Sequence, residues 1–211
     1  MGDFATSNFV KICGITSIAD ASLVHAAGGD AIGLIIAPSR RRVTVSDARE
    51  LAAWARGRLT SVLVVRELDD DAILDAVDCV EPDAVQLHDE ISPTLRAALA
   101  ERGRLVIRAL AIGSDAFWGF DDTTVDAVLL DGQNPGSGDV HEWRDAQRRP
   151  WTRPIIAAGG LTSLNVSDVI SHQWVWGVDV ASGVEATPGH KDHDAVFSFV
   201  ARARDAFAGR P

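Results

Sequence analysis

Cys13, Arg41, His88, Asp131, the pair Gly159-Gly160 and the pair Ser182-Gly183 each fall at or just beyond the end of a short aliphatic or β-branched run. A thiol and a carboxyl group can exchange protons with a substrate, and a guanidinium can grip a carboxylate through two parallel hydrogen bonds. Glycine turns let backbone amides approach a phosphate without a Cβ in the way. Together these residue types describe acid–base chemistry on a small anionic molecule. Singly, each has a plainer meaning. A cysteine in an apolar strand is usually core filler, and an aspartate ending a strand is often a loop or cap residue. Two glycines after a strand often make only a tight turn, and Arg40, Arg41 and Arg42 in succession read as a solvated basic loop.

The elements that would hold these residues alternate along the chain. Compact apolar runs, suited to strands buried on both faces, cover 9–13, 31–36, 61–65, 84–88, 105–110, 127–131, 155–158 and 178–181. Helix-like stretches between them cover 17–27, 46–55, 69–77, 92–100, 114–118, 141–147, 165–170 and 193–208. Several open on Ser, Asp or Asn, whose side chains accept from the orphan amides of a first turn. Eight strand–helix units predict the α/β class and a single (β/α)8 TIM barrel over 1–211, at the short end of the range of about 200 to 400 residues. An open doubly wound sheet would want a glycine-rich first turn, and Cys13-Gly14-Ile15-Thr16 is not one. In a barrel, the loops after the strand carboxyl ends build the site, and the residues above occupy that edge.

Thirty acidic against twenty basic residues give a net charge of −10, which opposes nucleic acid and anionic membranes. An anionic ligand then needs a local positive pocket. The two cysteines, Cys13 and Cys79, are far apart and outside any CxxC spacing, so neither a disulfide framework nor a cysteine-built zinc site is expected. Cys79 reads as a packing residue. No apolar run approaches the roughly 20 residues that span a bilayer, and the first residues lack a basic-then-apolar leader pattern. A reducing cytoplasm is the expected location. The six histidines show no ligand spacing beyond His190 and His193, so no metal is expected.

Five stretches then carry a resemblance. Lys11-Ile12-Cys13-Gly14-Ile15-Thr16, Gln86-Leu87-His88, Leu129-Leu130-Asp131, Ala158-Gly159-Gly160-Leu161 with Asn165-Val166, and 177–185 followed by Pro188-Gly189 and Lys191-Asp192 occur in one order across the chain. They resemble the phosphoribosylanthranilate isomerase family. The resemblance implies a cofactor-free isomerase of tryptophan biosynthesis that performs an Amadori rearrangement. It converts N-(5-phosphoribosyl)anthranilate to 1-(2-carboxyphenylamino)-1-deoxyribulose 5-phosphate.

Carried over by motif, Cys13 is the base and Asp131 the acid. Lys11, two positions before Cys13 and so on the same strand face, is expected to favour the thiolate. Arg41, selected by aligning Ser39 and Val43 with the family's Ser-Pro-Arg-Tyr-Val, would take the anthranilate carboxylate. His88 and Gln86 would line the substrate site with Lys11. Gly159, Gly160, Ser182 and Gly183 would bind phosphate, with Gly136 and Gly138 contributing from the sixth loop. Asp179 and Glu185 read as structural or rim residues. The expected partner is a small phosphosugar, and the chain is expected to be a monomer, with a homodimer as the alternative. Departures from the family pattern are Asp89 for glycine, Arg40 for proline, Arg42 for tyrosine, Pro135 in the loop beside Asp131, Ala181 for serine, and Leu63 and Val65 on the third strand. A silent phosphosugar binder and the sister isomerase of histidine biosynthesis are the competing readings. Retention of both Cys13 and Asp131 weighs against the first, and the lack of a second early glycine pair weighs against the second.

Overall fold

The computed structural model describes residues 8–132 and 140–210. Eight parallel strands close into a barrel in sequence order: β1 (Phe9–Cys13), β2 (Ala31–Ile35), β3 (Thr60–Val65), β4 (Ala84–Leu87), β5 (Leu105–Ala111), β6 (Ala127–Asp131), β7 (Ile155–Ala158) and β8 (Gly177–Val180). β8 returns to β1 with Lys11 opposite Asp179, and β1 meets β2 with Cys13 opposite Gly33. The intervening helices are α1 (Ile18–Ala26), α2 (Val45–Ala55), α3 (Asp70–Val80), α4 (Pro93–Glu101), α5 (Asp115–Gly119), α6 (Val140–Arg148), α7 (Val166–Ile170) and α8 (His193–Ala208). A two-stranded hairpin, β9 (Glu185–Thr187) and β10 (His190–Lys191), stands between β8 and α8.

Local chemistry explains the helix starts. Ser17, Thr44, Asp69, Ser92, Ser114 and Asp192 each accept a first-turn amide through the side chain, and Thr44 with Asp47 forms a reciprocal capping box. Asn165 departs from that expectation, since its side chain makes no cap bond. It cross-links the turn after β7 instead. Cys79 is also not the packing residue expected, because it lies exposed on α3.

Strand alternation sorts the side chains into two layers. Ile12, Ile32, Leu34, Leu63 and Val178 face outward under the helices, where α8 brings Val196, Phe199, Val200, Ala203 and Phe207 against the sheet. Phe9, Val62, Ala84, Ile107, Leu129 and Ile156 face the barrel axis. Phe9 stacks on Trp176 at 5.0 Å between ring centroids and fills the end where the strands begin. The polar interior residues therefore gather at the other end. Lys11, Cys13, Gln86, Asp131 and Asp179 all lie on inward-facing strand positions within two residues of a carboxyl terminus.

Candidate active site

Cys13 ends β1 with its side chain buried inside the barrel. Space for it comes from the neighbouring strand: a Cβ on Gly33 would sit 2.6 Å from Cys13 Sγ and 3.1 Å from Lys11 Nζ. Lys11 is fully buried, and its ammonium donates to Asp179 Oδ1 at 2.9 Å. Burial works against the Lys11 charge, but Asp179 and the Cys13 sulfur outweigh it and hold the ammonium above its ordinary range. Burial likewise governs Cys13. It pushes the thiol up, and Asp179 adds to that, against the opposing pull of Lys11 and Lys191. The expectation that this environment favours thiolate is thus corrected: Asp179 shares the Lys11 charge, and desolvation of sulfur exceeds the pull that remains. Asp179 is correspondingly a buried counter-ion with 9% side-chain exposure, the structural rather than the rim half of its sequence reading.

Arg41 reaches across the mouth from the loop after β2. Its Cδ lies 2.4 Å from where a Cβ on Gly14 would be, so glycine at that left-handed position, φ +73°, leaves the crossing open. Its backbone N–H donates to Ser39 Oγ at 3.1 Å. The guanidinium donates from Nε and Nη2 to the two oxygens of Glu185, at 2.7 and 2.8 Å. Lys191 Nζ donates to Glu185 Oε1 at 3.0 Å and to Ala181 O at 3.1 Å. Glu185 is 4% exposed, which agrees with the structural half of its structural-or-rim reading and not with the rim half. Burial alone would raise its carboxyl, but the bonds and charges of Arg41 and Lys191 outweigh that and hold it at about 2. Those same bonds from Glu185 raise the Arg41 pKa, whereas burial draws Lys191 below its ordinary range.

Asp131 ends β6 on the inward parity, half-buried, and is bordered by the turn after β7. Gly159, at φ +90°, is pressed so close that a Cβ there would lie 2.6 Å from Asp131 Oδ1 and 2.5 Å from Gly132 N. Gly160 is also left-handed, φ +62°. Asn165 stabilises this turn by accepting from Thr162 N at 2.8 Å and donating to Gly160 O at 3.0 Å. Gly183, in a single 3-10 turn (Ser182–Val184) after β8, packs onto the same segment, where a Cβ would fall 1.9 Å from Leu161 O. The turns after β7 and β8 therefore form one close-packed glycine surface beside Asp131. Gly136 and Gly138 lie outside the described residues.

Gln86 and His88 close the far side. Gln86 is buried, and its Nε2 stands 3.2 Å from His88 Nε2, leaving the buried Gln86 Oε1 without a hydrogen-bond partner. Burial, then the charges of Lys11, Arg66 and Arg108, lower the His88 pKa, so the ring is neutral at pH 7. Asp89, read from sequence as an acidic side chain near the substrate entrance, is tied down: its Oδ2 accepts from Glu67 N at 2.5 Å and joins the loops after β3 and β4. Among the described residues, no group of three His, Cys, Asp or Glu side chains could hold a metal ion.

Sequence alone reads Glu185 as structural or rim and gives Lys191 no role, so it joins neither to Arg41. The signal was there, since the two alternate with Thr187 and Gly189 around a short hairpin, but an ion triad across 144 residues of chain separation has no local pattern.

Known proteins agree with this architecture. The profile of the "N-(5'phosphoribosyl)anthranilate (PRA) isomerase" family matches residues 10–202. The N-(5'-phosphoribosyl)anthranilate isomerase of Halobacterium salinarum is 40% identical over 209 residues, covering 92% of this chain and 94% of that protein. The crystal structure of phosphoribosyl anthranilate isomerase from Thermotoga maritima superimposes with a TM-score of 0.83 at 35% identity, over 93% of this chain and 98% of that one. A second isomerase structure, in complex with reduced 1-(o-carboxyphenylamino)-1-deoxyribulose 5-phosphate, gives 0.78 at 34% identity over the same shares. On the match across nearly the whole length, this chain belongs to the N-(5'-phosphoribosyl)anthranilate isomerase family.

Proposed function

We propose that this protein isomerises N-(5'-phosphoribosyl)anthranilate to 1-(2-carboxyphenylamino)-1-deoxyribulose 5-phosphate, with Asp131 as acid and Cys13 as base. One observation carries the assignment: the thiol and the carboxyl group end the first and sixth strands on inward-facing positions, at the same mouth, with glycine turns and a guanidinium around them. Asp131 donates its proton to the furanose ring oxygen, and the nitrogen lone pair expels that oxygen from C1 to give the open-chain protonated imine. Cys13 as thiolate then takes the proton from C2, leaving an enolamine. Ketonisation moves the enol proton to C1, and the thiol proton returns to Asp131 through solvent, so no co-reactant is consumed.

Each remaining group supports one of these steps. Lys11 and Lys191 oppose the upward push of burial on the Cys13 thiol without outweighing it, so the thiolate that acts as base is the minor form. The unpartnered Gln86 Oε1 supplies an acceptor for a sugar hydroxyl. The backbone amides around Gly159, Gly160, Ser182 and Gly183 receive the phosphate, at the place where barrels of this kind commonly bind it. Arg41 receives the ring carboxylate. The local positive charge at the mouth answers the repulsion from a chain of net charge −10.

The test is turnover of purified protein on the phosphoribosyl substrate, followed by loss of anthranilate-type fluorescence. The reading predicts isomerisation that Arg41→Ala impairs mainly through KM. Tight binding of the reduced product analogue with no turnover would establish a silent binder instead.

A further inference from the structure

Arg41 has five N–H donors in a planar fork with two usable edges. Glu185 occupies one edge completely, because its oxygens accept from Nε at 2.7 Å and from Nη2 at 2.8 Å. The other edge, formed by Nη1 and the second Nη2 hydrogen, makes no hydrogen bond among the described residues, and the side chain as a whole keeps 24% exposure. Glu185 cannot swing away to release the first edge. Its Oε1 also accepts from Lys191 Nζ at 3.0 Å and from Gly189 N at 3.3 Å, and Thr16 Oγ1 pins the hairpin by donating to Gly189 O at 2.7 Å. The cluster of Arg41, Lys191 and Glu185 keeps one positive charge in excess, and that charge acts on Cys13 from the mouth side.

We infer that Glu185 is a positioning residue for carboxylate recognition: by filling the Nε edge of Arg41 from a pinned hairpin, it presents the Nη1/Nη2 edge to the anthranilate carboxylate for two parallel hydrogen bonds. The inference rests on Arg41 being the carboxylate-binding residue. Glu185 touches no reacting atom. Its effect passes through the guanidinium plane, which without it is free to rotate and to turn a single donor to the ligand. A lone arginine and a buried lysine would also repel one another, and the shared carboxylate keeps both in place.

The experiment compares two reduced product analogues that differ only in the ring carboxylate, one 2-carboxyanilino and one anilino, on wild type, Arg41→Ala, Glu185→Gln and Glu185→Asp. Glutamine keeps the volume but turns a donor toward Arg41 Nη2; aspartate keeps the charge but falls one methylene short. In both Glu185 variants the carboxylated analogue is expected to lose about tenfold in affinity, the size of one charge-assisted hydrogen bond. The anilino analogue is expected to hold its affinity, and KM for substrate to rise more than kcat falls. Equal loss for both analogues would show a purely structural glutamate and overturn the inference. So would an unchanged preference in whichever Glu185 variant folds, provided Arg41→Ala abolishes that preference. If Arg41→Ala keeps the preference, the assignment of Arg41 itself fails.

Discussion

Gly33→Ala probes the geometry of the base through a residue that carries no chemistry of its own. The added Cβ would lie 2.6 Å from Cys13 Sγ, 3.1 Å from Cys13 Cα and 3.1 Å from Lys11 Nζ. Non-bonded heavy atoms rest at about 3.5 to 4.0 Å, so the sulfur must retreat by about 1 Å. Rotation of the thiol alone leaves the new methyl pressed against the β1 backbone, and the Lys11 ammonium cannot retreat without stretching its 2.9 Å bond to Asp179. Overpacking of this kind costs about 1 to 3 kcal/mol of stability, and a 1 Å misplacement of a reacting group costs about 10² in rate. Steady-state fluorescence assays should therefore show kcat lowered about a hundredfold, with a moderately lower Tm. Gly119→Ala serves as the control, because a Cβ there meets nothing within 4 Å. Wild-type kcat in folded Gly33→Ala would refute the claim that the position of Cys13 matters.

Gly183→Ala places a Cβ 1.9 Å from Leu161 O, which is backbone and cannot turn aside, so the turns after β7 and β8 must separate. Weaker competition by inorganic phosphate and a lower Tm are expected; competition as strong as in wild type would contradict the phosphate assignment. Glu185 titrates at about 2 when folded, against an ordinary 4.5, so its charge adds stability that is complete above the ordinary value and lost as pH falls through about 2. The stability gap between wild type and Glu185→Gln should therefore close on acidification; a constant gap would refute it. Burial raises the Cys13 pKa, so the fraction of base form grows with pH, and kcat should climb from neutral pH toward alkaline pH. A flat profile over that range would mean that another group takes the proton.

Period and punctuation made the frame legible. The strands at Phe9–Cys13, Ala127–Asp131 and Ile155–Ala158 and the helix at His193–Ala208 lie where apolar runs and 3.6-residue spacing put them. The capping residues did the same for helix starts, because a hydrogen bond from side chain to first-turn amide is a local event. Cross-chain events were illegible. Asn165 looked like a cap and instead braces Gly160, since which amide it meets depends on how sharply the glycine pair turns. Cys13 and Lys11 share a strand face as the alternation predicts, yet Asp179 arrives from β8 by barrel closure and takes much of the lysine charge. The partner of Glu185 was hidden for the same reason: a carboxylate after Ser182-Gly183-Val184 says nothing of an arginine 144 residues earlier.

The most direct measurement is turnover of Cys13→Ala and Asp131→Asn beside their affinity for the reduced product analogue. If these two groups move the protons, kcat falls in each by about 10² to 10⁴ while analogue binding stays close to wild type. Full turnover in either folded variant would contradict the account.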